Sequence, residues 1–152
     1  MATREEKGVT LSTIMMPEHA NPQGNVHGGE VMKMMDNTAG CAAAKYSRTR
    51  IVTARVDELQ FLEPVRVADF VTSHGEVVYT GRTSMEVFIT VDVENFHDGP
   101  GSKRRALEAY FTLVALDDDG RPTPVPAYAP ETEEEKQRWE YVHKRRANAP
   151  KR

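Results

Sequence analysis

Apolar and polar residues alternate through much of the second half of the chain. Between Ser84 and Glu94, Met85, Val87, Ile89, Val91 and Val93 share one parity while Glu86, Thr90, Asp92 and Glu94 share the other, which predicts a half-buried strand. Leu107, Ala109, Phe111, Leu113 and Ala115 repeat the pattern, Phe70 to Tyr79 form a shorter strand candidate, and Val9 to Met15 form a first one that Pro17 ends. From Ile51 to Phe61 the phase slips, with Val52, Ala54 and Val56 on one parity and Leu59 and Phe61 on the other. A β-bulge near Asp57 and Glu58 accounts for the slip. Turns fall at Glu63-Pro64, Thr80-Gly81, Asp98-Gly99-Pro100-Gly101 and Asp118-Asp119-Gly120. Such short connections imply antiparallel neighbours.

A different period rules from Glu30 to Tyr46. Val31, Met34, Met35, Thr38, Ala39 and Ala42 recur at helical spacing, and the other faces carry Met32, Gly40, Cys41, Ala43 and Ala44. A helix so poor in charge suits enclosure by other elements, so it is expected to be central. After the proline-rich stretch 122–130, a second helix is expected from Glu131 to Arg145, acidic in its first turns and basic in its last, an order that complements the helix dipole. The expected fold is α+β: five antiparallel strands wrapped around one long central helix, with an extra C-terminal helix. Residues 1–8 read as a loosely ordered start, 9–127 as the wrapped domain, and 128–152 as the C-terminal helix and basic tail.

Composition narrows the class. The 152 residues carry 39% hydrophobic and 28% charged residues, and 20 basic against 23 acidic side chains give a net charge of −3. One compact domain is expected from this length. No apolar run approaches the ~18 residues of a membrane span, and MATREEKG lacks the core of a signal peptide, so a soluble, intracellular protein is expected, with no membrane partner. The single cysteine, Cys41, has no partner for an internal disulfide or a thiolate metal cluster, and its alanine neighbours place it in the core. The mild negative charge argues against nucleic acid as the main partner.

The chemistry concentrates in NPQGNVHGGEVMKMMD, residues 21–36. Gly28-Gly29 opens the helix, where unpaired N–H groups and a partial positive charge make a ready oxyanion site, although the pair also serves as a tight entry. Asp36, set among methionines and alanines, costs several kcal/mol to bury unless partnered, which marks it as functional or paired with a basic group. From Gly28 to Asp36 the helix rises about 12 Å, so the two cannot serve one small reacting group within a single chain. Two central helices packed antiparallel across a dimer axis can bring them together. His19, His74, His97 and His143 show no ligand spacing, and metal catalysis is not expected.

Taken in order, NPQGNVHGGEVMKMMDNTAGCAAAKY, VTARVDELQFLEPVRVAD, YTGRTSMEVFITVDVEN and ALEAYFTLVALDDDGRPTPVP resemble the hotdog-fold acyl-CoA thioesterases of the YciA and cytosolic brain acyl-CoA hydrolase type, over roughly residues 10 to 127. The resemblance implies hydrolysis of an acyl-CoA thioester to free acid and CoA without metal or organic cofactor. It further implies a cytoplasmic homodimer sharing its active sites, assembled as a trimer of dimers. It puts the catalytic carboxylate on Asp36 and an active-site asparagine, acting from the opposite subunit, on Asn21. Gly28 and Gly29 then polarise the carbonyl, Asp36 activates water or attacks directly, and Asn21 orients water or holds the carbonyl. His27 either joins the site or is a structural loop histidine. Gly81, Arg82, Thr83 and Ser84 match a segment near CoA or are an ordinary turn. Arg145, with Lys144, Arg146, Lys151 and Arg152, either meets CoA phosphates or is a solvated helix end. Ala68 stands where a glycine is frequent in the family, which puts the local turn in question. Two alternatives remain. A hydratase or dehydratase of the same fold requires Asp-x-Asn-Pro-x-His, but around Asn21-Pro22 the chain has His19 and Gly24 at the catalytic positions. A non-catalytic acyl-CoA-binding domain has no need of Asp36.

Overall fold

The alternating segments become strands at nearly the bounds their patterns set: β1 (Gly8–Ile14), β2 (Arg50–Phe61), β3 (Phe70–Thr80), β4 (Ser84–Glu94) and β5 (Arg104–Leu116). In the computed structural model, which describes residues 7–149, they form one antiparallel sheet in the order β1-β3-β4-β5-β2. Residues 1–6 of the expected loose start, and Lys151 and Arg152 of the basic tail, lie outside the described residues. Helix α1 spans Gly28–Ser47 and α2 spans Glu133–Ala147. Thr132 caps α2, its hydroxyl accepting from the Glu135 amide at 3.1 Å, so this helix starts two residues later than its charge pattern alone suggests.

The strand order corrects one expectation. Only the β3–β4 and β4–β5 connections join sheet neighbours, whereas β2 pairs with β5 at one edge and β3 pairs with β1 near the other. The segment from Glu63 to Asp69 makes the crossing, pinned to the loop before α1 by the Val26 amide on the Val65 carbonyl at 2.8 Å and to the end of β1 by the Ala68 amide on the Met15 carbonyl at 2.8 Å. Ala68 keeps the turn in spite of its side chain, with φ 74° in the left-handed region. Asp69 holds that geometry, its carboxylate accepting from the Arg66 amide at 2.9 Å and from Arg104 at 3.2 Å.

β2 has two register shifts. The one between Asp57 and Gln60, with Glu58 at φ 54°, is the expected bulge. The other, between Thr53 and Arg55, changes the expected facing: Val52 pairs with Val114 on the outer face, whereas Val56 pairs with the buried Phe111 on the inner one. Thr53, opposite the buried Leu113, also faces inward.

The core lies between α1 and the concave face of the sheet, where Met35, Met85, Ile89, Leu107 and Leu113 are fully buried. Each such side chain contributes roughly 1.5–3 kcal/mol on leaving water. α1 sits close because β3 offers it Gly75, where a Cβ would stand 3.3 Å from the Thr38 methyl and 2.5 Å from Ile89. The helix is not enclosed all round. Val31, Met35, Thr38, Ala39, Ala42 and Ala43 are buried, but Met32, Lys33, Asp36, Asn37 and Cys41 form an exposed stripe. Cys41 is therefore a surface residue, not a core one, because the sheet curls over one side of the helix and its β2 edge stops short of the other.

The convex face is covered too. α2 lies across it, burying Val142 against Val78 and Tyr110, with Trp139 stacked on His143. β4 is consequently buried on both faces, and Glu86 and Thr90, expected toward solvent, are 2% and 3% exposed. No helix among the described residues is long and apolar enough to cross a membrane.

Candidate active site

The loop that precedes α1 is organised by one side chain. Asn21 accepts the amides of Gln23 and Asn25 on its side-chain oxygen at 3.0 and 3.1 Å, and Gly24, at φ 87°, lets the chain reverse between them. With the oxygen occupied, the Asn21 amide offers its NH2 group, a donor, to anything beside it. The loop ends at His27, the cap residue of α1, which supplies no side-chain cap and is exposed. Most helix starts have Ser, Thr, Asp or Asn there to take up the first amides. Here the amides of Gly28 and Gly29 stay available, and nothing lies within 4 Å of where a Gly29 Cβ would stand. Helix geometry and the missing cap together make an anion-stabilising end.

Asn21 and Gly28 open into one cavity of about 360 Å3, lined also by Val26, Val31, Phe61 and Leu107. Asp36 does not line it. Two turns along α1, its carboxylate accepts the Thr53 hydroxyl at 2.6 Å on the exposed stripe. The separation inferred from helix geometry thus holds within the chain. The expected burial of Asp36 does not: the carboxylate meets the open β2 edge, not methionines and alanines. Thr53, the hydrogen-bond partner of Asp36, is a residue that sequence reasoning did not single out. The available signal was a hydroxyl on the inner phase of β2, hidden by the first register shift.

The residues expected near CoA lie elsewhere in the chain. Gly81, Arg82, Thr83 and Ser84 form the β3–β4 turn, closed by the Gly81 amide on the Ser84 carbonyl at 2.9 Å, with the Arg82 and Thr83 carbonyls accepting from Val125 and Ala115, each at 2.9 Å. That turn is at the opposite end of β4 from Val91, the partner of cavity residue Leu107, roughly 23 Å away at ~3.3 Å per residue. Arg145 is committed to carboxylates: it reaches Glu86 at 2.8 Å and Glu58 at 3.3 Å, while Arg146 reaches Glu86 at 3.4 Å and the Ser84 hydroxyl at 3.2 Å. Burial alone would lower the Arg145 pKa, but Glu86 beside it holds the guanidinium above its ordinary value. Tyr141 hydrogen-bonds Glu58, which pushes the phenol up. Among the described residues no group of His, Cys, Asp or Glu is placed to hold a metal ion.

A five-stranded antiparallel sheet curled over one long helix is the hotdog arrangement, and here the uncapped helix start opens into a cavity. The family model of the Thioesterase superfamily matches residues 23–96. The cytosolic acyl coenzyme A thioester hydrolase of Rattus norvegicus is 40% identical over 86% of this chain, and the chain spans 34% of that longer relative. The acyl-CoA thioester hydrolase YciA of Salmonella typhimurium is 38% identical, over 78% of this chain and 90% of that protein. Among solved structures, an apo-hexameric acyl-CoA thioesterase superposes with a TM-score of 0.89 at 34% identity, covering 97% of this chain and 93% of the other. The Staphylococcus aureus acyl-CoA hydrolase bound to butyryl-CoA and CoA superposes at 0.82 and 30% identity, covering 95% and 89%. The S. aureus enzyme has also been solved with alanine in place of one aspartate, one asparagine and one threonine. The chain belongs to the hotdog-fold acyl-CoA thioesterases of the thioesterase superfamily.

Proposed function

We propose that the protein hydrolyses the thioester of an acyl-CoA to the free acid and CoA, in sites shared between two copies of the chain. The observation that carries this reading is the division of the machinery: Asn21 and Gly28 line one cavity, and Asp36 lies outside it on the exposed stripe of α1, held by Thr53. A second copy docked on that stripe and on the open β2 edge, where Val52, Val56 and Met32 are exposed, brings the partner's aspartate to the helix start. The Gly28 and Gly29 amides then stabilise the oxyanion as water adds to the thioester carbon. Asp36 takes the proton from that water, the Asn21 NH2 group holds the carbonyl or the water, and collapse of the tetrahedral adduct expels CoA as its thiolate. Thr53 fixes the Asp36 carboxylate so that one oxygen faces the water.

The altered asparagine, aspartate and threonine of the S. aureus enzyme stand at the same relative spacing along that chain as Asn21, Asp36 and Thr53 here, which supports these roles. Hexameric relatives support a trimer of such dimers. The reaction needs no metal and no cofactor beyond the CoA of the substrate, and a cytoplasmic location accords with the cytosolic relatives. His27 stands at the helix start beside the cavity of its own chain, whereas Arg145, Gly81, Arg82, Thr83 and Ser84 reach CoA in this reading only across an interface between copies.

The test is subunit mixing. Asp36→Ala and Asn21→Ala proteins, each inactive alone, are unfolded together and refolded at equal amounts. Thiol release recovers to about a quarter of the wild-type rate, because half the dimers are mixed and each mixed dimer has one intact site of two. Absence of recovery, with exchange verified by mass-tagged subunits, removes the shared site.

A further inference from the structure

The cavity beside Asn21 and Gly28 is polar at the helix start and apolar everywhere deeper. Val31 and Leu107, 1% and 0% exposed, form its floor, Val26 and Val65 close its flanks, and Phe61, Leu62 and Pro64 make the rim. Among the described residues no lysine or arginine lines it, and the one ionisable lining residue among them, Glu63, is exposed. The nearby Arg104 is already tied to the Pro64 carbonyl at 3.2 Å and to Asp69. A nucleotide phosphate entering here would meet a carboxylate and no cation in the lining, whereas a hydrocarbon chain would leave water for an apolar wall. Of the two ends of an acyl-CoA, this cavity suits the acyl end.

Phe61 has a special place in it. The side chain is 57% exposed, yet two of its ring carbons would be 3.1 Å from a Cβ at position 28. The ring therefore rests on the bare backbone of Gly28, next to the amides that would polarise the thioester, and forms the outermost apolar wall. Within one chain it is packed on one side only, so it is the wall whose size is easiest to change without disturbing the floor.

We propose that this cavity receives the acyl chain and that Phe61 sets the longest chain it accepts. The proposal rests on the thioesterase reading and goes beyond it by naming the substrate length. In the single chain the cavity measures about 360 Å3, and Phe61 walls its outer end. Short and medium acyl chains fit inside, and longer ones must pass Phe61.

The experiment compares the wild-type protein with Phe61→Leu, Phe61→Ala and Phe61→Trp on acyl-CoA substrates graded from acetyl to palmitoyl. Release of free thiol is followed, kcat and KM are separated, and circular dichroism and light scattering check fold and assembly. Phe61→Ala moves the peak of kcat/KM to longer chains, with a gain of about tenfold on the longest carried mainly by KM. Phe61→Trp loses at least about tenfold more on medium chains than on acetyl-CoA, and Phe61→Leu falls between wild type and alanine. Parallel profiles for all four proteins, or a uniform loss at every length, overturn the assignment of the acyl chain to this cavity. A wild-type protein that releases no thiol from any substrate instead overturns the thioesterase reading, and so the two failures are told apart.

Discussion

Two carboxylates in this chain have opposite surroundings. Glu86, on the outer face of β4, is 2% exposed and fully engaged, accepting from Arg145 at 2.8 Å, Arg146 at 3.4 Å and the Thr112 hydroxyl at 2.9 Å. Asp36, on α1, is exposed and accepts from Thr53 at 2.6 Å, with the rest of its acceptor capacity open toward the side where the sheet ends. The buried carboxylate is the satisfied one, as the desolvation penalty demands. Apolar neighbours in the sequence mark the wrong property. What distinguishes a reacting carboxylate is acceptor capacity left for a water or a substrate, and that depends on tertiary position. The sharpest test of the contrast is Asp36→Asn, which keeps shape and removes the carboxylate proposed as the base. We expect kcat to fall by about 10²–10⁴-fold, with Tm within about 1 °C of the wild type by calorimetry. More than a tenth of the wild-type turnover in this variant breaks the comparison at its functional end.

Glu86→Gln probes the structural end. It leaves two guanidiniums, 21% and 35% exposed, facing a neutral amide under α2. Their partial exposure tempers the loss to about 2–3 kcal/mol, below that of a fully buried pair, and urea unfolding measures it. Turnover per folded molecule stays within about threefold, because the Glu86–Arg145–Arg146 cluster is on the opposite face of the sheet from α1. A variant of unchanged stability but impaired turnover would reverse the roles assigned to the two carboxylates.

The difference also marks how far the chain could be read before its fold was known. The periods of β4 and α1 set their extents within about two residues, since each carries one unbroken apolar face, whereas β5 begins at Arg104, three residues before its pattern at Leu107, beyond the register shift opposite Val91 and Asp92. The bulge at Asp57–Glu58 was legible because large apolar residues lie on both sides of it. The shift at Thr53–Arg55 was not, because Val52, Ala54 and Val56 stay apolar through it and conceal the change of face. Strand order was beyond reach, as periodicity says nothing of which strand a strand joins, and β2 passes over its nearest neighbour to pair with β5. The loop and helix start were found from local chemistry alone: Asn, Pro and Gly for the turn, and Gly28-Gly29 for the open amides. Burial of Glu86 needed α2, over forty residues downstream, and exposure of Asp36 needed the open edge of β2. Neither leaves a local pattern.

A smaller effect is expected at the hydroxyl that separates the two environments. Thr53→Val keeps the shape of the side chain and removes the donor to Asp36. The carboxylate then loses its fixed orientation but keeps its charge, so kcat falls about tenfold while KM stays within about twofold. Thr53→Ser, which restores the hydroxyl, recovers most of the loss. An equal fall in both variants would assign Thr53 to packing along β2, not to holding Asp36.

The smallest effect belongs to a third carboxylate, which shares features with both. Glu135, in the first turn of α2, accepts from Lys7 at 2.9 Å and from the Tyr128 hydroxyl at 3.1 Å, and its side chain is 20% exposed. Partial burial would raise its pKa, but the hydrogen bonds from Lys7 and Tyr128 outweigh that and hold it below the ordinary carboxylate value of 4.5. Because the folded-state pKa lies below that of the unfolded chain, the stabilisation is fully present above the ordinary value and disappears as pH falls through the folded one. Glu135→Gln is therefore expected to lower Tm by about 1–3 °C near pH 7. The gap to the wild type should close progressively as the pH is taken below the ordinary value, whereas the deficit of Asp36→Asn in turnover near neutral pH is unaffected by this linkage. Thermal melts of wild type and Glu135→Gln across that range read the closing directly. A gap that stays constant with pH means that the Lys7–Glu135–Tyr128 contacts act through shape and not through charge.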